Sequence, residues 1–149
     1  MKRAVFPGSF DPFTTGHADI VRRAANLFDQ IIIGIGTNGS KAYMFSKEQR
    51  EDFIRKSFAG NENIKVMHYE KLTIEFCKKV DAGFIVRGLR NTTDFEFETT
   101  IARMHYALNQ DIETIFIPCS PAHVAISSTI VRDIIRNGGN AQQFLPFKL

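Results

Sequence analysis

Short apolar stretches alternate with amphipathic stretches along the whole chain. The apolar stretches have the length and composition of buried strands and lie at Arg3–Phe6, Gln30–Ile35, Asn63–His68, Phe84–Val86 and Thr114–Ile117. Between them, apolar residues recur at helical spacing, which predicts helices over His17–Phe28, Ser46–Phe58, Ile74–Val80, Thr93 to about Leu108, and Ser127 or Ser128 to Gly138. Continuous apolar strands joined by helices are typical of a parallel sheet that is buried on both faces. We therefore predict an α/β fold with a five-stranded parallel sheet and helices on both faces.

Two of the predicted helix starts carry the pattern of a capping box. In this motif a hydroxyl residue at the N-cap is followed three positions later by Glu or Gln. Ser46 with Gln49 and Thr93 with Glu96 both match the pattern. We therefore expect Ser46 and Thr93 to cap their helices.

Polar residues that a packed core does not require follow four of the predicted strands. They are Ser9, Thr14 and His17 after the first strand, Lys41 after the second, Arg87 and Arg90 after the fourth, and His123 and Ser127–Thr129 after the fifth. In Rossmann-like folds the carboxyl ends of the strands meet at one edge of the sheet, and ligands bind there. The helix after the first strand also presents free backbone N–H groups, which favour phosphate. The sequence therefore predicts one crevice, rich in cations and hydroxyls, for an anionic ligand.

Composition narrows the class of protein and its partners. The chain has 149 residues, 44% of them hydrophobic, and a net charge of +3, which suits one domain with a full core. No long run of Lys or Arg favours nucleic acid, and no apolar stretch reaches membrane-spanning length. Cys77 and Cys119 lie in apolar contexts without a CxxC motif, and the histidines lack metal-ligand spacing. We expect a cytoplasmic protein with no nucleic-acid partner, no membrane contact and no metal site built by the chain.

The segment Gly34–Gly39 matches the dinucleotide-binding pattern GxGxxG letter for letter. The true fingerprint follows the first strand and opens directly into a helix. Here the glycines follow the second strand, and the next helix start is Ser46. A dinucleotide site at this segment is therefore not favoured.

Several ordered motifs carry a resemblance to a known family. Gly8–His17 reads GSFDPFTTGH and resembles the GSFDPxTxGH signature of the nucleotidyltransferase superfamily. Arg87–Arg90 (RGLR), Asp94–Glu98 (DFEFE), Ile126–Arg132 (ISSTIVR) and Phe144–Pro146 (FLP) resemble, in the same order, motifs of the bacterial phosphopantetheine adenylyltransferases. The resemblance implies a single Rossmann-like nucleotidyltransferase domain over residues 1–149.

The resemblance also implies a reaction and its partners. Members of this family transfer AMP reversibly from ATP to 4′-phosphopantetheine, which gives dephospho-coenzyme A and pyrophosphate in coenzyme A biosynthesis. The substrate phosphate attacks the α-phosphorus in line, so positioning and charge stabilisation replace a protein nucleophile. We expect Mg²⁺ held mainly by the ATP phosphates, coenzyme A as a feedback ligand, and a homohexamer.

Residue roles follow from the same resemblance. The implied catalytic residues are His17, Lys41, Arg90 and Ser9, with His17 donating to the α-phosphate. The implied ATP contacts are Gly8, Ser9, Phe10, His17, Gly88, Arg90, Glu98, Ser127, Ser128 and Thr129, with Glu98 bonding the ribose. The implied contacts to phosphopantetheine are Ser9, Lys41, Leu72, Arg87 and Ile101, with Lys41 and Arg87 holding its phosphate.

The chain departs from the family pattern at two positions. Phe97 stands where many members have Tyr, and His105 stands where members often have an Asn that faces the pantetheine arm. A Phe at the first position keeps the ring but loses the hydroxyl.

Two other functions fit parts of the pattern. One is a sister nucleotidyltransferase, either a nicotinate-mononucleotide adenylyltransferase or a cytidylyltransferase, against which the RGLR and DFEFE segments argue. The other is a non-catalytic nucleotide-binding module, against which the presence of His17, Lys41 and Arg90 argues.

Overall fold

The computed structural model describes all 149 residues and contains one five-stranded sheet. Its strands are β1 (Arg3–Gly8), β2 (Gln30–Gly36), β3 (Ile64–Tyr69), β4 (Phe84–Leu89) and β5 (Glu113–Pro118). The strand order is β3-β2-β1-β4-β5, and every neighbouring pair is parallel. The helices are α1 (Thr15–Ala24), α2 (Lys47–Ser57), α3 (Thr73–Lys79), α4 (Thr92–Leu108) and α5 (Ser128–Arg136), with 3₁₀ turns at Pro121–His123 and Gln142–Phe144. The predicted α/β fold is confirmed.

Both faces of the central strands are buried, which explains their continuous apolar runs. Phe6 and Ile33 belong to a core cluster that includes side chains of α1, α2 and α5. Val5 and Ile32, each one position earlier, belong to a second cluster on the opposite face with side chains of α3. Successive residues of a strand point to opposite faces, so helices on both sides are needed to bury them.

Most predicted helix boundaries lie within two residues of the observed ones, but one predicted cap and one predicted helix end are wrong. Ser46 Oγ accepts from the Gln49 N–H at 3.1 Å, and Gln49 Oε1 accepts from the Ser46 N–H at 2.9 Å, so this capping box is confirmed. The cap predicted at Thr93 is wrong. Asn91 caps α4 instead, because its side-chain oxygen accepts from the Asp94 N–H at 2.9 Å and draws Thr93 into the helix.

Helix α1 is shorter than predicted, ending at Ala24 rather than Phe28. The Leu27 N–H bonds the Ala24 carbonyl at 2.8 Å, a three-residue spacing that tightens the chain into a turn. The Asp29 N–H then bonds the Lys2 carbonyl at 2.8 Å and leads into β2. At the other end of the chain, Ser127 caps α5 through the Ile130 N–H.

Candidate active site

Two cavities lie side by side at the carboxyl edge of the sheet. The first has a volume of about 570 Å³ and the second about 340 Å³. They share one wall, which is lined by Pro7, Gly8, Ser9, Lys41, Arg87 and Glu98. The carboxyl-terminal parts of β1 and β4, the loops after β1 and β2, and the side of α4 build this wall, as expected for the carboxyl edge of a parallel sheet. Two ligands bound in the two cavities would therefore meet at a surface that carries two cations.

The structure brings most of the predicted site residues together. All of the predicted ATP contacts line the second cavity: Gly8, Ser9, Phe10, His17, Gly88, Arg90, Glu98, Ser127, Ser128 and Thr129. Of the predicted phosphopantetheine contacts, Ser9, Lys41, Arg87 and Ile101 line the first cavity, as does His105. Leu72 does not, since it is 57% exposed at the N-cap of α3 while its neighbours Lys71 and Thr73 line the cavity. His123, on the turn after β5, lines neither cavity.

His17 is held in place by the start of α1. Thr14 Oγ1 accepts from the His17 N–H at 3.3 Å, and His17 Nδ1 accepts from the Thr14 N–H at 3.0 Å. The histidine thus takes the place that Glu or Gln has in an ordinary capping box. Because Nδ1 accepts, the proton of the neutral ring lies on Nε2, the other ring nitrogen.

The surroundings of His17 keep its ring neutral. Burial, with added repulsion from Arg87 and Arg90, lowers the pKa of His17 to about 3. Three aromatic rings surround it, with centroids 6.2, 5.1 and 5.4 Å away for Phe6, Phe10 and Phe13 respectively. A histidine in this state is a fixed hydrogen-bond donor at neutral pH and does not serve as a proton carrier.

Gly8 and Phe10 line the second cavity beside His17. A Cβ at Gly8 would lie 2.7 Å from the Phe10 ring, so any side chain there would displace that ring. Phe10 has a φ of 51°, in the left-handed region, and is 4% exposed. This turn folds the Phe10 ring under Gly8 and edge-on to the ring of His17.

Arg87 and Glu98 form a two-pronged ion pair on the shared wall. Arg87 Nε donates to Glu98 Oε2 at 2.9 Å and Nη2 donates to Oε1 at 2.7 Å, while Nη1 donates to the Pro7 carbonyl. Glu98 is the one buried residue of α4. Its carboxylate holds the arginine in a fixed orientation, with N–H groups left over for an anion. The ribose contact implied for Glu98 stays a prediction.

Arg90 and the start of α5 complete the second cavity. Arg90 donates from its backbone N–H and its Nε to Asp94 Oδ2, at 2.9 and 3.0 Å. Burial alone would raise the pKa of Asp94, but these bonds from Arg90 bring it below its ordinary value. Ser128 Oγ donates to the Pro12 carbonyl at 2.8 Å, which ties the N-terminus of α5 to the loop after β1. Two helix N-termini, those of α1 and α5, thus flank one cavity.

Sequence reasoning missed the buried supports of this site. Arg50 donates to the Ser9 carbonyl at 2.8 Å, and Asp11 accepts from the Phe45 N–H at 2.9 Å. A signal for Arg50 was present, because it precedes Phe53 and Ile54 by three and four residues on the apolar face of its helix.

Comparisons with known proteins place the chain in a family. A family model described as cytidylyltransferase-like matches residues 5–134. A phosphopantetheine adenylyltransferase of Flavobacterium psychrophilum is 53% identical, and the match covers 98% of this chain and 96% of the relative. The enzyme of the same name from Christiangramia forsetii is 51% identical at the same coverage, and that of Bacteroides thetaiotaomicron is 48% identical, also over 98% and 96%. The chain belongs to the phosphopantetheine adenylyltransferase branch of the cytidylyltransferase-like family.

Two solved structures outside this branch share the fold of this chain. A bifunctional NMN adenylyltransferase/ADP ribose pyrophosphatase of Francisella tularensis, complexed with AMP and a Mn ion, superposes with a TM-score of 0.73 at 18% identity. A second structure of the enzyme from that organism gives a TM-score of 0.77. The two matches cover 99% and 98% of this chain but only 45% of each solved chain, so this chain shares its fold with about half of a longer protein.

Proposed function

We propose that this chain is a single-domain adenylyltransferase over residues 1–149 that transfers AMP reversibly from ATP to 4′-phosphopantetheine. The observation that carries the proposal is the wall shared by the two cavities, on which Lys41 and Arg87 lie between the first cavity of about 570 Å³ and the second of about 340 Å³. The name that relatives at 44–53% identity carry supports the same substrates. A sister nucleotidyltransferase and a non-catalytic nucleotide-binding module are the alternatives that the experiment below separates.

The reaction is one in-line displacement across the shared wall. A phosphate oxygen of phosphopantetheine attacks the α-phosphorus of ATP and forms the new P–O bond of dephospho-coenzyme A. The bond from the α-phosphorus to the oxygen bridging to the β-phosphorus breaks, and pyrophosphate leaves with that electron pair. The helix N-termini of α1 and α5 face the triphosphate, and their free N–H groups favour its charge.

The side chains stabilise charge and fix orientation. His17 donates its Nε2 proton to an α-phosphate oxygen as charge grows there, and keeps that proton because its ring stays neutral. Lys41 and Arg87 hold the attacking phosphate, and Ser9 Oγ, 3.2 Å from Lys41 Nζ, lies beside them. Arg90 and the residues Ser127–Thr129 bind the leaving phosphates.

A divalent cation enters with the nucleotide in this proposal. The carboxylates of the second cavity are engaged: Asp11 by backbone N–H groups, Asp94 by Arg90, and Glu98 by Arg87. No group of three or more acidic, His or Cys side chains is arranged to hold a metal ion. This donor set fits Mg²⁺ held mainly by phosphate oxygens and water, where the ion would supply positive charge to neutralise the pyrophosphate.

Assembly into a homohexamer is part of the proposal. Helix α4 carries large apolar side chains that are 47–64% exposed, at Phe95, Phe97, Met104, Tyr106 and Leu108. So many exposed apolar side chains on one 17-residue helix are typical of a surface covered by another subunit.

We place the enzyme in the cytoplasm, with coenzyme A as a feedback ligand and no nucleic-acid or membrane partner. No helix of the molecule combines the length and apolar character that a bilayer span requires.

Pyrophosphate release tests the proposed reaction. The protein is incubated with ATP and Mg²⁺ and with 4′-phosphopantetheine, nicotinate mononucleotide or glycerol 3-phosphate as acceptor. We expect release with phosphopantetheine alone. Release with another acceptor would move the chain to a sister activity, and no release with any of them would favour a binding module.

A further inference from the structure

Arg50 is a charged side chain in the interior of the protein. It projects from α2 on the face shared with Phe53 and Ile54, and the residue is 2% exposed. A buried charge is unfavourable unless it is paired, yet Arg50 takes part in none of the ion pairs of the molecule. Its side-chain hydrogen bond runs from Nη1 to the Ser9 carbonyl at 2.8 Å, and its Nε has no partner.

The contacts of Arg50 close a cycle of four residues at the shared wall. The guanidinium carbon lies 4.0 Å from the centroid of the Tyr43 ring. Lys41 Nζ lies 5.4 Å from the same centroid and 3.2 Å from Ser9 Oγ. The Ser9 carbonyl returns to Arg50. Two cations, one buried and one exposed, are thus linked through one aromatic ring and one serine.

Asp11 ties the same segment to the loop after β1. The Asp11 carboxylate is 3% exposed and accepts from the Met44 N–H at 2.8 Å and from the Phe45 N–H at 2.9 Å. The chain from Lys41 to Phe45, which we name the lysine segment, is therefore attached to Ser9 and Asp11 at separate points. Lys41 itself is exposed, and apart from Ser9 its side chain has no hydrogen-bond partner.

We infer that Arg50 is a positioning residue that sets Lys41 and Ser9 at the wall between the two cavities, acting through the Tyr43 ring and the Ser9 carbonyl. This inference rests on the proposed role of Lys41 in holding the attacking phosphate. A lysine on a loop loses conformational entropy when it binds an anion, which weakens binding. If the loop is already fixed before binding, less entropy is lost. The unpaired guanidinium also adds positive potential beneath the wall.

The first test compares two arginines of the same helix. Arg50→Met removes the charge and both contacts, whereas Arg55→Met removes a half-exposed arginine that pairs with Glu51 at 2.7 Å, away from the lysine segment. We expect Arg50→Met to lower kcat/KM for phosphopantetheine by about tenfold to a hundredfold, the scale of a small misplacement at a reacting group. Arg55→Met should leave kcat/KM within about twofold of the wild-type value. An equal fall in both variants would show that the loss is general to the helix and would overturn the inference.

Tyr43 provides a second pair of variants in case Arg50→Met does not fold. Tyr43 is only partly buried, so both variants should be tolerated. Tyr43→Leu removes the ring between the two cations, and Tyr43→Phe keeps it. A fall in kcat/KM for Tyr43→Leu with a much smaller change for Tyr43→Phe supports the inference. Equal values for the two variants overturn it.

A double-mutant cycle with Lys41→Ala tests whether Arg50 acts through the lysine. Coupled residues are non-additive, so Arg50→Met should change kcat/KM far less in the Lys41→Ala background than in the wild type. The same full effect in both backgrounds would overturn the inference. If Lys41→Ala alone leaves kcat/KM unchanged, the proposed role of Lys41 fails instead.

Hydrogen exchange gives a readout independent of activity. The Met44 and Phe45 amides are bonded to buried Asp11, so they should exchange slowly in the wild type. We expect both to exchange at least about tenfold faster in Arg50→Met and to keep the wild-type rate in Arg55→Met. Unchanged exchange in Arg50→Met would show that Arg50 does not hold the lysine segment, whatever the kinetics.

Discussion

Arg87 and Glu98 lie side by side on the wall between the two cavities, joined by hydrogen bonds of 2.9 and 2.7 Å. The arginine lies on β4, an interior strand of the sheet, and the glutamate lies on α4, so the pair also fixes α4 against the sheet. Glu98 is 7% exposed, which removes most of the competition from water for the guanidinium. One ion pair thus serves both the fold and the placement of a phosphate-binding cation.

Replacing Glu98 should reduce both the stability and the activity of the protein. Glu98→Gln leaves Arg87 without its carboxylate, so we expect the free energy of unfolding to fall by about 2 kcal/mol. We also expect kcat/KM for phosphopantetheine to fall by about tenfold or more, because Arg87 loses its fixed orientation. Urea unfolding and steady-state kinetics measure the two quantities. Glu96→Gln, at an exposed position of the same helix, is the control and should change neither.

His17 should contribute to turnover far more than to ATP binding. We expect His17→Ala to lower kcat by about a hundredfold or more, the scale of losing one transition-state donor. The dissociation constant for ATP, measured by calorimetry, should change little. His68→Ala removes a histidine that pairs with Glu51 on α2 and should keep wild-type turnover. Near-normal turnover in His17→Ala would exclude His17 from the mechanism.

The low pKa of His17 has a consequence for stability below neutral pH. Its pKa of about 3 lies below the ordinary 6.5, so between these values the unfolded chain binds a proton that the folded one does not. Stability from this group is therefore present above pH 6.5 and is lost as the pH falls towards 3. Between pH 7 and 5 the loss is about 2 kcal/mol. Chemical denaturation of His17→Gln at both pH values should show a smaller loss than the wild type, and an equal loss would contradict the neutral ring.

Gly8 should be intolerant of a methyl group. Gly8→Ala places a Cβ 2.7 Å from the Phe10 ring, which must then move away from His17. We expect a stability loss of about 1–3 kcal/mol, the usual cost of overpacking, together with a lower kcat. Gly83→Ala is the control, because no atom lies within 4 Å of its Cβ. Thermal melting and pyrophosphate release would report both effects, and equal behaviour of the two variants would contradict the close contact.

The exposed apolar residues of α4 should control assembly. Phe97 is 64% exposed, so Phe97→Arg should leave the fold of one chain intact while placing a charge in any apolar interface. Light scattering should give six copies of the 16.9 kDa chain for the wild type and a smaller mass for the variant. Lys79→Glu, at the end of α3, is a charge-changing control that should keep the wild-type mass.

The strands and the main motifs were readable from the sequence because their causes are local. β2 is apolar at every position from Ile31 to Ile33, as a strand buried on both faces must be. The TTGH motif places a histidine three residues after a Thr N-cap, and both hydrogen bonds of that cap lie within four residues. The predicted cap at Thr93 failed for a local reason as well, since Asn91 competes for the same backbone donors.

Other features depend on residues that are far apart in the chain and meet only when the sheet forms. The order of residue types along the chain predicted where the strands end, and Ser9, Lys41 and Arg87 lie at or near those ends. This prediction was possible because apolar periodicity and turn residues determine secondary structure over only a few positions. Folding decided that Arg87 binds Glu98, that Leu72 lies outside the cavity, and that Arg50 is buried beneath Ser9, 41 residues away. Pair distances and burial are properties of the packed chain, so the state of His17 and the supports of Lys41 could be determined only from the tertiary structure.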